Sequence, residues 1–450
     1  MKLTRKIGYG IGDMGAGIMW GLVSSFLLIY MTDSVGMAAA TLGTIILLTR
    51  VFDGVSDAIM GTIIDKTNTR MGKAKPWYLG SIIPLTISFI LLFNIPGTMS
   101  EGTLNVYFFI IYFTLTVIFY TIKDVSYNAL PALVTDSTKD RISMSIIRFV
   151  LSLSTSIVMS VITMPVINSL GGVSSQAAWS KITIVFAVIG VITLTISALS
   201  VKEMNIGSGT DEVKKEKSSL PFYKAFAYTF TNKYFIMGLV TTLASMTRIA
   251  LMAGGVYYAT YVIGNVDVVG LLSIAALLPM IIGMFLGKPF INRLGMQKTN
   301  QIGFFISLAG ALISAVFANN LTLVLVGMAL VALGFGPATA TGAALLSHVA
   351  DYGEWKHHVK LQGVTFSCSS IATKVGTGLG GALIGWGLQA GGYVAGATEQ
   401  TAMTILMIKG VFLYIPVLLC AIPFVISFFM DIEYKMPAIK EELAKRNNEK

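Results

Sequence analysis

Twelve runs of apolar residues, each long enough to cross a lipid bilayer, constrain the fold of this 450-residue chain more than any other feature. A membrane-spanning helix needs about 20 mainly apolar residues, and a helix satisfies its own backbone hydrogen bonds where no water is present. The sequence therefore predicts an all-α membrane protein with twelve transmembrane helices. The expected spans are at about 9–31, 38–62, 76–95, 104–131, 144–168, 180–201, 234–263, 266–288, 299–318, 321–349, 363–390 and 405–430.

A long polar stretch divides the twelve spans into two sets of six. It begins at Lys202, reads KEMNIGSGTDEVKKEKSSLPFYKAF, and has the Gly, Ser and Lys content of a solvated connector. We expect an N-terminal six-helix half at 1–201, a cytoplasmic connector at 202–232, a C-terminal six-helix half at 233–432 and a cytoplasmic tail at 433–450. Similar basic loops, GTIIDKTNTRMGKAKPW and GKPFINRLGMQKTN, follow spans two and eight. Two related halves of six spans are typical of the major facilitator fold.

The basic residues lie in alternate loops. Only 12% of the chain is charged, about half the ~25% that is usual for a soluble domain. One set of loops carries the Lys and Arg residues, whereas opposite loops such as TDSVGMAAAT and NIPGTMSEGTLN carry none. Because cytoplasmic loops are enriched in Lys and Arg, we expect a multi-pass protein of the cell membrane with both termini in the cytoplasm. The same distribution explains the net charge of +10 without a nucleic-acid partner, and we expect a monomer.

The sequence contains no motif typical of catalysis or cofactor binding. Two cysteines and three histidines lack the spacing of a disulfide framework or a metal site. Walker-type nucleotide loops and the HExxH and GxSxG motifs are absent. We therefore expect neither an enzyme nor an ATP-driven pump, and no cofactor other than a coupling ion, H⁺ or Na⁺.

Span two contains RVFDGVSDAIMG, in which Asp53 and Asp57 lie four residues apart. On a helix this spacing puts both carboxylates on one face. Two carboxylates this close require a cation between them, a basic partner, or a proton on one of them, and intramembrane charges commonly mark a transport path. We expect Asp53 and Asp57, with Ser56 between them, to hold the coupling ion, as metal ligands if that ion is Na⁺. Arg50 is a candidate partner of Asp53, and the alternative for this pair is a structural role that joins helices.

Span four contains FYTIKDVSYNALP, which places Tyr120, Thr121, Asp124 and Asn128 on one helix face. We expect Asp124 and the Thr121 hydroxyl either to join the carboxylate pair or to bind hydroxyl groups of a ligand. Tyr120 is equally compatible with packing. Lys123 lies about 100° around the helix from Asp124, and its role stays open.

A lysine stands alone in span eleven. Lys374, in SSIATKVGTGLGG, is followed by closely spaced glycines that allow helices to approach and bend. A buried lysine needs an anion. The candidates are the three intramembrane carboxylates, Asp53, Asp57 and Asp124, and an acidic substrate.

Other polar or aromatic residues within the spans leave alternatives open. Arg148 is a candidate partner of Asp124, and Arg248 is compatible with a site or with an anchor near a span end. Asp13, close behind the basic N-terminus, is more typical of a pair that locks helices together. Trp20 is a candidate for stacking on a sugar ring, although aromatic residues in spans more often pack against other helices.

A series of motifs, in order along nearly the whole chain, carries a family resemblance. They are GDMG, YMTDSVG, RVFDGVSDAIMG, TNTRMGKAKPW, YTIKD and DYGEWK followed by TKVG. They resemble the motifs of the glycoside–pentoside–hexuronide:cation symporters, the melibiose permease-like proteins of the major facilitator superfamily. The resemblance implies a twelve-span fold and cation-coupled uptake of glycosides.

The resemblance also implies roles for individual residues. Asp53 and Asp57 match the carboxylates that bind the coupling cation in the family, and Thr121 matches the hydroxyl that assists them. The positions that contact sugar or complete the site are matched by Asp124, Tyr120, Arg148 and Lys374.

Several positions depart from the family pattern. Gly17 stands where a sugar-binding carboxylate is expected, and Asn128 and Thr339 stand where tryptophans are expected. Ser56 replaces an amide, and Lys123 replaces an apolar residue. A serine offers one oxygen on a shorter stem, and a nearby ammonium competes with a metal ion, so the sequence favours H⁺ over Na⁺.

The sequence thus predicts a cation-coupled symporter that imports a glycoside, pentoside or hexuronide by alternating access. A lipid or lysolipid carrier on the same fold, and a membrane-embedded enzyme or receptor, are the alternatives. The expected partners are a small sugar and the lipid bilayer. The identity of the sugar stays open.

Overall fold

The structure is a computed structural model that describes residues 1–97, 99–204, 222–359, 361–397 and 399–448, and these residues form helices and no β-sheet. In the first half the helices are Leu3–Ile29, Tyr30–Ser34, Ala39–Lys66, Lys75–Leu92, Glu101–Phe113, Thr114–Tyr120, Thr121–Val134, Thr138–Ser169 and Gln176–Ser200. In the second half they are Phe222–Phe230, Lys233–Ala250, Leu251–Gly254, Gly255–Tyr257, Tyr258–Ile263, Val266–Val268, Val269–Val316, Leu321–His357, Gln362–Ala390, Ala402–Lys409, Gly410–Tyr414, Ile415–Ser427 and Ile432–Asn448. Residues 205–221, most of the expected connector, lie outside the described part of the chain.

Ten helices in the described ranges are long and apolar enough to cross a membrane. One of them, Val266–Val316, changes direction at Gly295, whose φ of 83° and ψ of 169° are not helical, so it supplies spans 8 and 9. Gln362–Ala390 is less apolar because it carries Lys374 and several glycines, but its 29 residues are enough to cross a bilayer. It supplies span 11. The helices together give the twelve spans of the predicted major facilitator fold.

The described residues contain four π-helical segments, which lie within spans or at their ends, namely Tyr30–Ser34, Thr114–Tyr120, Tyr258–Ile263 and Gly410–Tyr414. A π turn widens the helix by one residue and shifts the positions of the side chains that follow it, and such turns occur often at functional sites. The segment in span 4 ends just before Thr121. The register of the span-four motif therefore changes within the motif itself, which the spacing alone did not predict.

The chain forms two compact units. Unit 1 comprises Met1–Gly207, Leu251–Ser273 and Gly381–Ile408, and unit 2 comprises Ser208–Ala250, Ile274–Gly380 and Lys409–Lys450. In unit 1, span 1 packs most extensively against spans 5 and 6. In unit 2, the second part of span 12 packs against span 7.

A buried glutamate holds the loop that precedes span 3 in unit 1. The Glu203 carboxylate accepts hydrogen bonds from the backbone N–H groups of Lys73, Ala74 and Lys75, at 2.6, 2.9 and 2.6 Å. These groups lie at the start of a helix, where N–H groups have no intrahelical acceptor and the helix dipole favours a negative charge. Gly72 adopts a φ of 114°, and a Cβ atom at this position would collide with the Glu203 carboxylate.

The same arrangement recurs in unit 2. The Glu433 carboxylate accepts hydrogen bonds from the backbone N–H groups of Met296 and Gln297, both at 2.8 Å. The preceding residue, Gly295, again has a positive φ of 83°, and a Cβ atom there would lie 3.0 Å from the carboxylate. The similarity between the loops after spans 2 and 8 therefore extends from their sequence to their hydrogen bonding.

Pairs of glycines bring spans 9 and 10 into close contact in unit 2. Gly303 meets Gly334, and Gly310 meets Gly327, so the two glycines of each span are seven residues apart. A Cβ atom at Gly334 would collide with the backbone oxygen of Gly303. Small residues allow this approach, which gains packing energy where lipid provides no hydrophobic driving force between helices.

Replacing Gly334 with Val is expected to destabilise the protein by about 1–3 kcal/mol, because overpacking forces the backbones of spans 9 and 10 apart. The change is measured by unfolding the protein in mixed micelles that contain increasing amounts of a denaturing detergent. The matched control is Gly342→Val on the same helix, since no atom lies within 4 Å of a Cβ atom there. Equal loss of stability in both variants would contradict the close contact.

Candidate substrate and cation site

The carboxylate of Asp53 joins two spans of unit 1. Its side chain is only 5% exposed, and the Thr121 hydroxyl of span 4 donates a hydrogen bond to Asp53 Oδ1 at 2.9 Å. The Ser56 hydroxyl donates to the Asp53 backbone carbonyl at 2.9 Å and lies 3.1 Å from Thr121 Oγ1. Three of the expected ion-site residues therefore lie together, and they supply a cluster of oxygen atoms from spans 2 and 4.

A buried arginine neutralises Asp53 from the same helix. Arg50 Nη1 donates to Asp53 Oδ2 at 3.1 Å, and Arg50 Nη2 donates to the Tyr112 hydroxyl at 3.3 Å. The guanidinium group lies over the ring of Trp20, 4.4 Å from its centroid, and Trp20 packs on Tyr120 with a centroid separation of 4.5 Å. The predicted pairing of Arg50 with Asp53 is therefore present, and Trp20 is held by two neighbours.

Two more of the expected site residues, Asp57 and Lys374, lie on spans 2 and 11. Asp57 lies one helical turn beyond Asp53 on span 2 and is half-buried. Lys374 is half-buried in span 11, which at that position belongs to unit 2.

A second polar cluster runs from span 4 to spans 5 and 1. Asn128 Nδ2 donates to Asp124 Oδ2 at 2.9 Å, and Asn128 Oδ1 accepts a hydrogen bond from Arg148 Nη1 at 2.7 Å. Arg148 Nε donates to Asp13 Oδ2 at 2.6 Å. The Asp124 side chain is 39% exposed, so this cluster can contact a ligand in a way that the buried Asp53 cannot.

The direct pairing of Arg148 with Asp124, which the sequence offered as an alternative, is replaced by a link through Asn128. The Asn128 amide lies one turn after Asp124 and fills the space between the two charges. The ion-pair partner of Arg148 is instead Asp13, and the two side chains are 23% and 13% exposed. This pair joins spans 1 and 5, which agrees with the helix-locking role that the sequence suggested for Asp13.

Lys123 is buried rather than turned toward lipid. Its ammonium group lies 3.5 Å from Asp124 Oδ1. It also lies 5.2 Å from the ring centroid of Tyr120 and 5.0 Å from that of Tyr127. Its side chain is 1% exposed. The Asp124 carboxylate and two aromatic faces therefore compensate a charge that would otherwise be costly in a membrane.

Tyrosines that the sequence did not single out support this cluster. The rings of Tyr9 and Tyr127 stack at 4.4 Å, and each hydroxyl donates to the backbone carbonyl of the other residue, at 3.0 and 2.8 Å. The Arg148 guanidinium lies 4.7 Å from the centroid of the Tyr127 ring. Such tertiary pairs leave no periodic signal, because aromatic residues are common throughout the spans.

A further cluster that the sequence missed lies in unit 1 at the opposite end of span 1 from the N-terminus. Asp33 accepts hydrogen bonds from the hydroxyl groups of Tyr393 at 2.6 Å and Tyr261 at 3.1 Å, and Thr32 pairs with the Tyr257 hydroxyl at 2.8 Å. Burial, and then the Asp33 carboxylate, raise the pKa of Tyr393 above its ordinary value, so its hydroxyl stays protonated and donates. Asp33 and the tyrosines thus link spans 1 and 7 with the loop after span 11.

Comparison with known proteins places this geometry in a family. A family model described as MFS/sugar transport protein matches residues 8–434. The chain belongs to this family. It is therefore a membrane transporter of the major facilitator type rather than an enzyme, and the family is one of sugar transporters.

The curated relatives cover almost the whole chain. An isoprimeverose transporter of Lactiplantibacillus pentosus is 28% identical over 99% of this chain and 92% of its own length. A putative glycoside/cation symporter, YagG, of Escherichia coli is 27% identical over 99% of this chain and 95% of its own length. These relatives imply a coupling cation, and the family resemblance found in the sequence is confirmed.

Solved structures show the fold. The nucleoside transporter NupG matches with a TM-score of 0.62 and 15% identity, over 96% of this chain and 100% of that protein. At this identity the similarity supports the major facilitator fold and says nothing about the substrate.

Proposed function

We propose that the protein is a cation-coupled symporter that imports a glycoside, pentoside or hexuronide by alternating access. The observation that carries the proposal is the buried Asp53 carboxylate, which receives a hydrogen bond from Thr121 across the boundary between spans 2 and 4. Three residues further along span 4 is Asp124, which is open to a ligand. An ion site and a sugar site would therefore share one helix.

The coupling ion would bind at Asp53 and Asp57, with the hydroxyl oxygens of Ser56 and Thr121 beside them. Arg50 offsets one negative charge of the two carboxylates, and we propose that a proton on one of them offsets the other. Both oxygens of Asp53 already accept hydrogen bonds, from Thr121 and Arg50. Since Ser56 offers a single oxygen, we favour a proton over Na⁺, with Na⁺ as the alternative.

The sugar would bind beside this site, near the middle of the membrane. Asp124 and Asn128 offer acceptors and donors for hydroxyl groups, and Trp20 and Tyr120 offer faces for a sugar ring. Arg148 would orient the sugar directly or through Asn128. Lys374 of span 11 is a further substrate-binding residue in this proposal. Asp13 would hold Arg148 in position.

Coupling would follow from shared structure. Occupancy of the ion site lowers the repulsion between Asp53 and Asp57 and orders spans 2 and 4, which raises the affinity for sugar at Asp124. By linkage, the bound sugar raises the affinity for the ion by the same factor.

The topology that we propose puts both termini in the cytoplasm of the cell and the transporter in the cell membrane as a monomer. The basic loops support this orientation. The moving parts would be the six-helix halves at 1–201 and 233–432, joined by the connector at 202–232 and followed by the tail at 433–450. The cluster around Asp33 would then lie on the extracellular side.

Uptake into proteoliposomes tests the function. A panel of labelled glycosides is presented with an inward proton gradient, an inward Na⁺ gradient, or neither. We expect one glycoside class to accumulate above its external concentration under the proton gradient and to equilibrate without it. Equilibration that no ion gradient alters would contradict symport, and accumulation under Na⁺ alone would reassign the ion.

Replacing Asp33 with Asn is expected to weaken the bonds from Tyr261 and Tyr393 and to favour opening on the extracellular side. A cysteine at Gly17, with Cys368 and Cys420 replaced by Ser, reports on opening through its rate of reaction with an impermeant thiol reagent added outside. We expect an increase of about 5-fold or more, as for a typical coupling free energy. The control is Glu101→Gln, an exposed carboxylate at the start of span 4. An equal rate in both variants would contradict the gating role of Asp33.

A further inference from the structure

A cavity lies within unit 2, and its lining shares no residue with the three clusters described in unit 1. Spans 7 to 12 form a cavity of about 430 Å³, and most of its walls are apolar. This volume is within the ~300–1,000 Å³ that is usual for a ligand pocket. The polar side chains that line it include Ser245, Arg248, Gln297, Asn300 and Thr339. Glu433 also lines it, and its two carboxylate oxygens accept the backbone hydrogen bonds of Met296 and Gln297.

The cavity contains an arginine whose Nε has no hydrogen-bonding partner in the described part of the chain. Arg248 is 9% exposed, and its Nε is buried without an acceptor among the described residues. Its guanidinium group lies over the Phe335 ring, 4.2 Å from the centroid. The ring face compensates the charge in part, but the N–H groups of a buried guanidinium require acceptors.

The other polar groups of the cavity offer acceptors. The Ser245 hydroxyl donates to the Thr241 carbonyl at 2.7 Å, and the Thr339 hydroxyl donates to the Phe335 carbonyl at 3.0 Å, so both oxygens have lone pairs left. The Gln297 side-chain oxygen is buried without a donor, while its amide nitrogen donates to the Ser427 carbonyl at 3.2 Å. A cavity with one cationic donor and several acceptors suits a molecule that combines one oxyanion with several hydroxyl groups.

We propose that this cavity is a binding site for a polyhydroxylated monoanion, in which Arg248 holds the carboxylate. The uncharged acceptors then bind hydroxyl groups, and the apolar walls exclude water from the ion pair. Arg248 is in this view a specificity residue that favours an acidic ligand over its neutral analogue. The phosphate of a lipid headgroup has the same charge chemistry, so the test has to separate the two sources.

Two sugars that differ at C6, where D-glucuronate has a carboxylate and D-glucose a hydroxymethyl group, test the site by direct binding, without transport. Thermal shift and calorimetry compare D-glucuronate with D-glucose on the full chain in phosphatidylcholine nanodiscs. We expect wild-type protein to prefer glucuronate, and Arg248→Gln to lose about 10-fold or more of that affinity, as for a lost charged hydrogen bond. Glucose affinity should stay unchanged, and Arg248→Lys should restore part of the preference. Arg293→Gln, which removes an exposed cation of unit 2, is the control.

The ligand-free stability gives a second, independent readout. An arginine that waits for a ligand costs stability in the free protein, so Arg248→Gln should unfold at the same temperature as wild type or higher. Lowered thermal stability would overturn the proposal, because it would show that Arg248 has a structural partner. A glucuronate preference retained in Arg248→Gln would also overturn it. So would phosphatidylglycerol nanodiscs that abolish glucuronate binding and stabilise wild type but not Arg248→Gln, because the site would then hold a lipid phosphate. Counterflow of a neutral glycoside tests the symport function separately.

Discussion

Asp53→Asn is expected to reduce ion-driven accumulation of the transported sugar about 100-fold, near the upper end of typical coupling free energies, ~1–3 kcal/mol. The physical reason is that the variant removes a carboxylate from the ion site while leaving the sugar-facing Asp124 in place. Sugar counterflow, which needs no ion gradient, should therefore stay within a few-fold of wild type. Accumulation and counterflow are measured in the same proteoliposomes.

The matched control is Asp136→Asn, since the Asp136 side chain is 87% exposed and lies outside the ion site. It should transport as wild type does. Normal accumulation by Asp53→Asn, at wild-type levels of reconstituted protein, would contradict the role of Asp53 in coupling.

The same substitution leaves Arg50 buried without its carboxylate. Breaking a buried ion pair from one side costs about 3–5 kcal/mol, although the Tyr112 hydroxyl and the Trp20 ring still compensate part of the charge. The double variant Arg50→Gln, Asp53→Asn should regain most of this stability and still fail to accumulate sugar. The double variant therefore separates loss of coupling from loss of folding. If the Arg50–Asp53 pair had a structural role alone, transport would return together with stability.

Glu203→Ala is expected to destabilise the protein by about 3 kcal/mol, because hydrogen bonds to charged groups contribute ~1.5–3 kcal/mol each. The variant leaves the N–H groups of Lys73, Ala74 and Lys75 without their acceptor. Gly72→Ala should have a similar effect, since it combines an unfavourable φ with a collision against the carboxylate. Detergent-induced unfolding measures both.

The control is Glu441→Ala, a glutamate that is 69% exposed on the last helix, which should change stability by less than about 0.5 kcal/mol. Glu433→Ala should fall between the two, because Glu433 accepts two backbone hydrogen bonds where Glu203 accepts three. If Glu203→Ala destabilised the protein as little as Glu441→Ala, the three backbone hydrogen bonds to Glu203 would contribute little to stability.

The number of spans and their approximate limits were predictable, because length and hydrophobicity alone decide whether a helix can cross a bilayer. The pair Arg50–Asp53 was also within reach, since both residues lie on one helix three positions apart. The placement of Thr121 against Asp53 corresponds to one of the two alternatives that the sequence left open for the Thr121 hydroxyl, contact with the carboxylate pair of span 2.

The tertiary partners were not predictable from spacing. Asp13 and Arg148 are 135 residues apart, and either could have paired with another charge. Lys123 was left open because a buried lysine beside two aromatic rings has the same sequence as one that faces lipid. Glu203 and Glu433 were missed because a glutamate after the last span of a half reads as an ordinary solvated charge.

Reciprocal binding is the measurement that tests the central claim most directly. Calorimetry determines the sugar affinity of purified protein at two pH values and with or without Na⁺, and the number of protons taken up when the sugar binds. The account predicts that lowering the pH strengthens sugar binding, that sugar binding takes up protons, and that both effects vanish in Asp53→Asn. A sugar affinity that neither pH nor Na⁺ changes would contradict an ion site coupled to the sugar through Asp53 and Asp57.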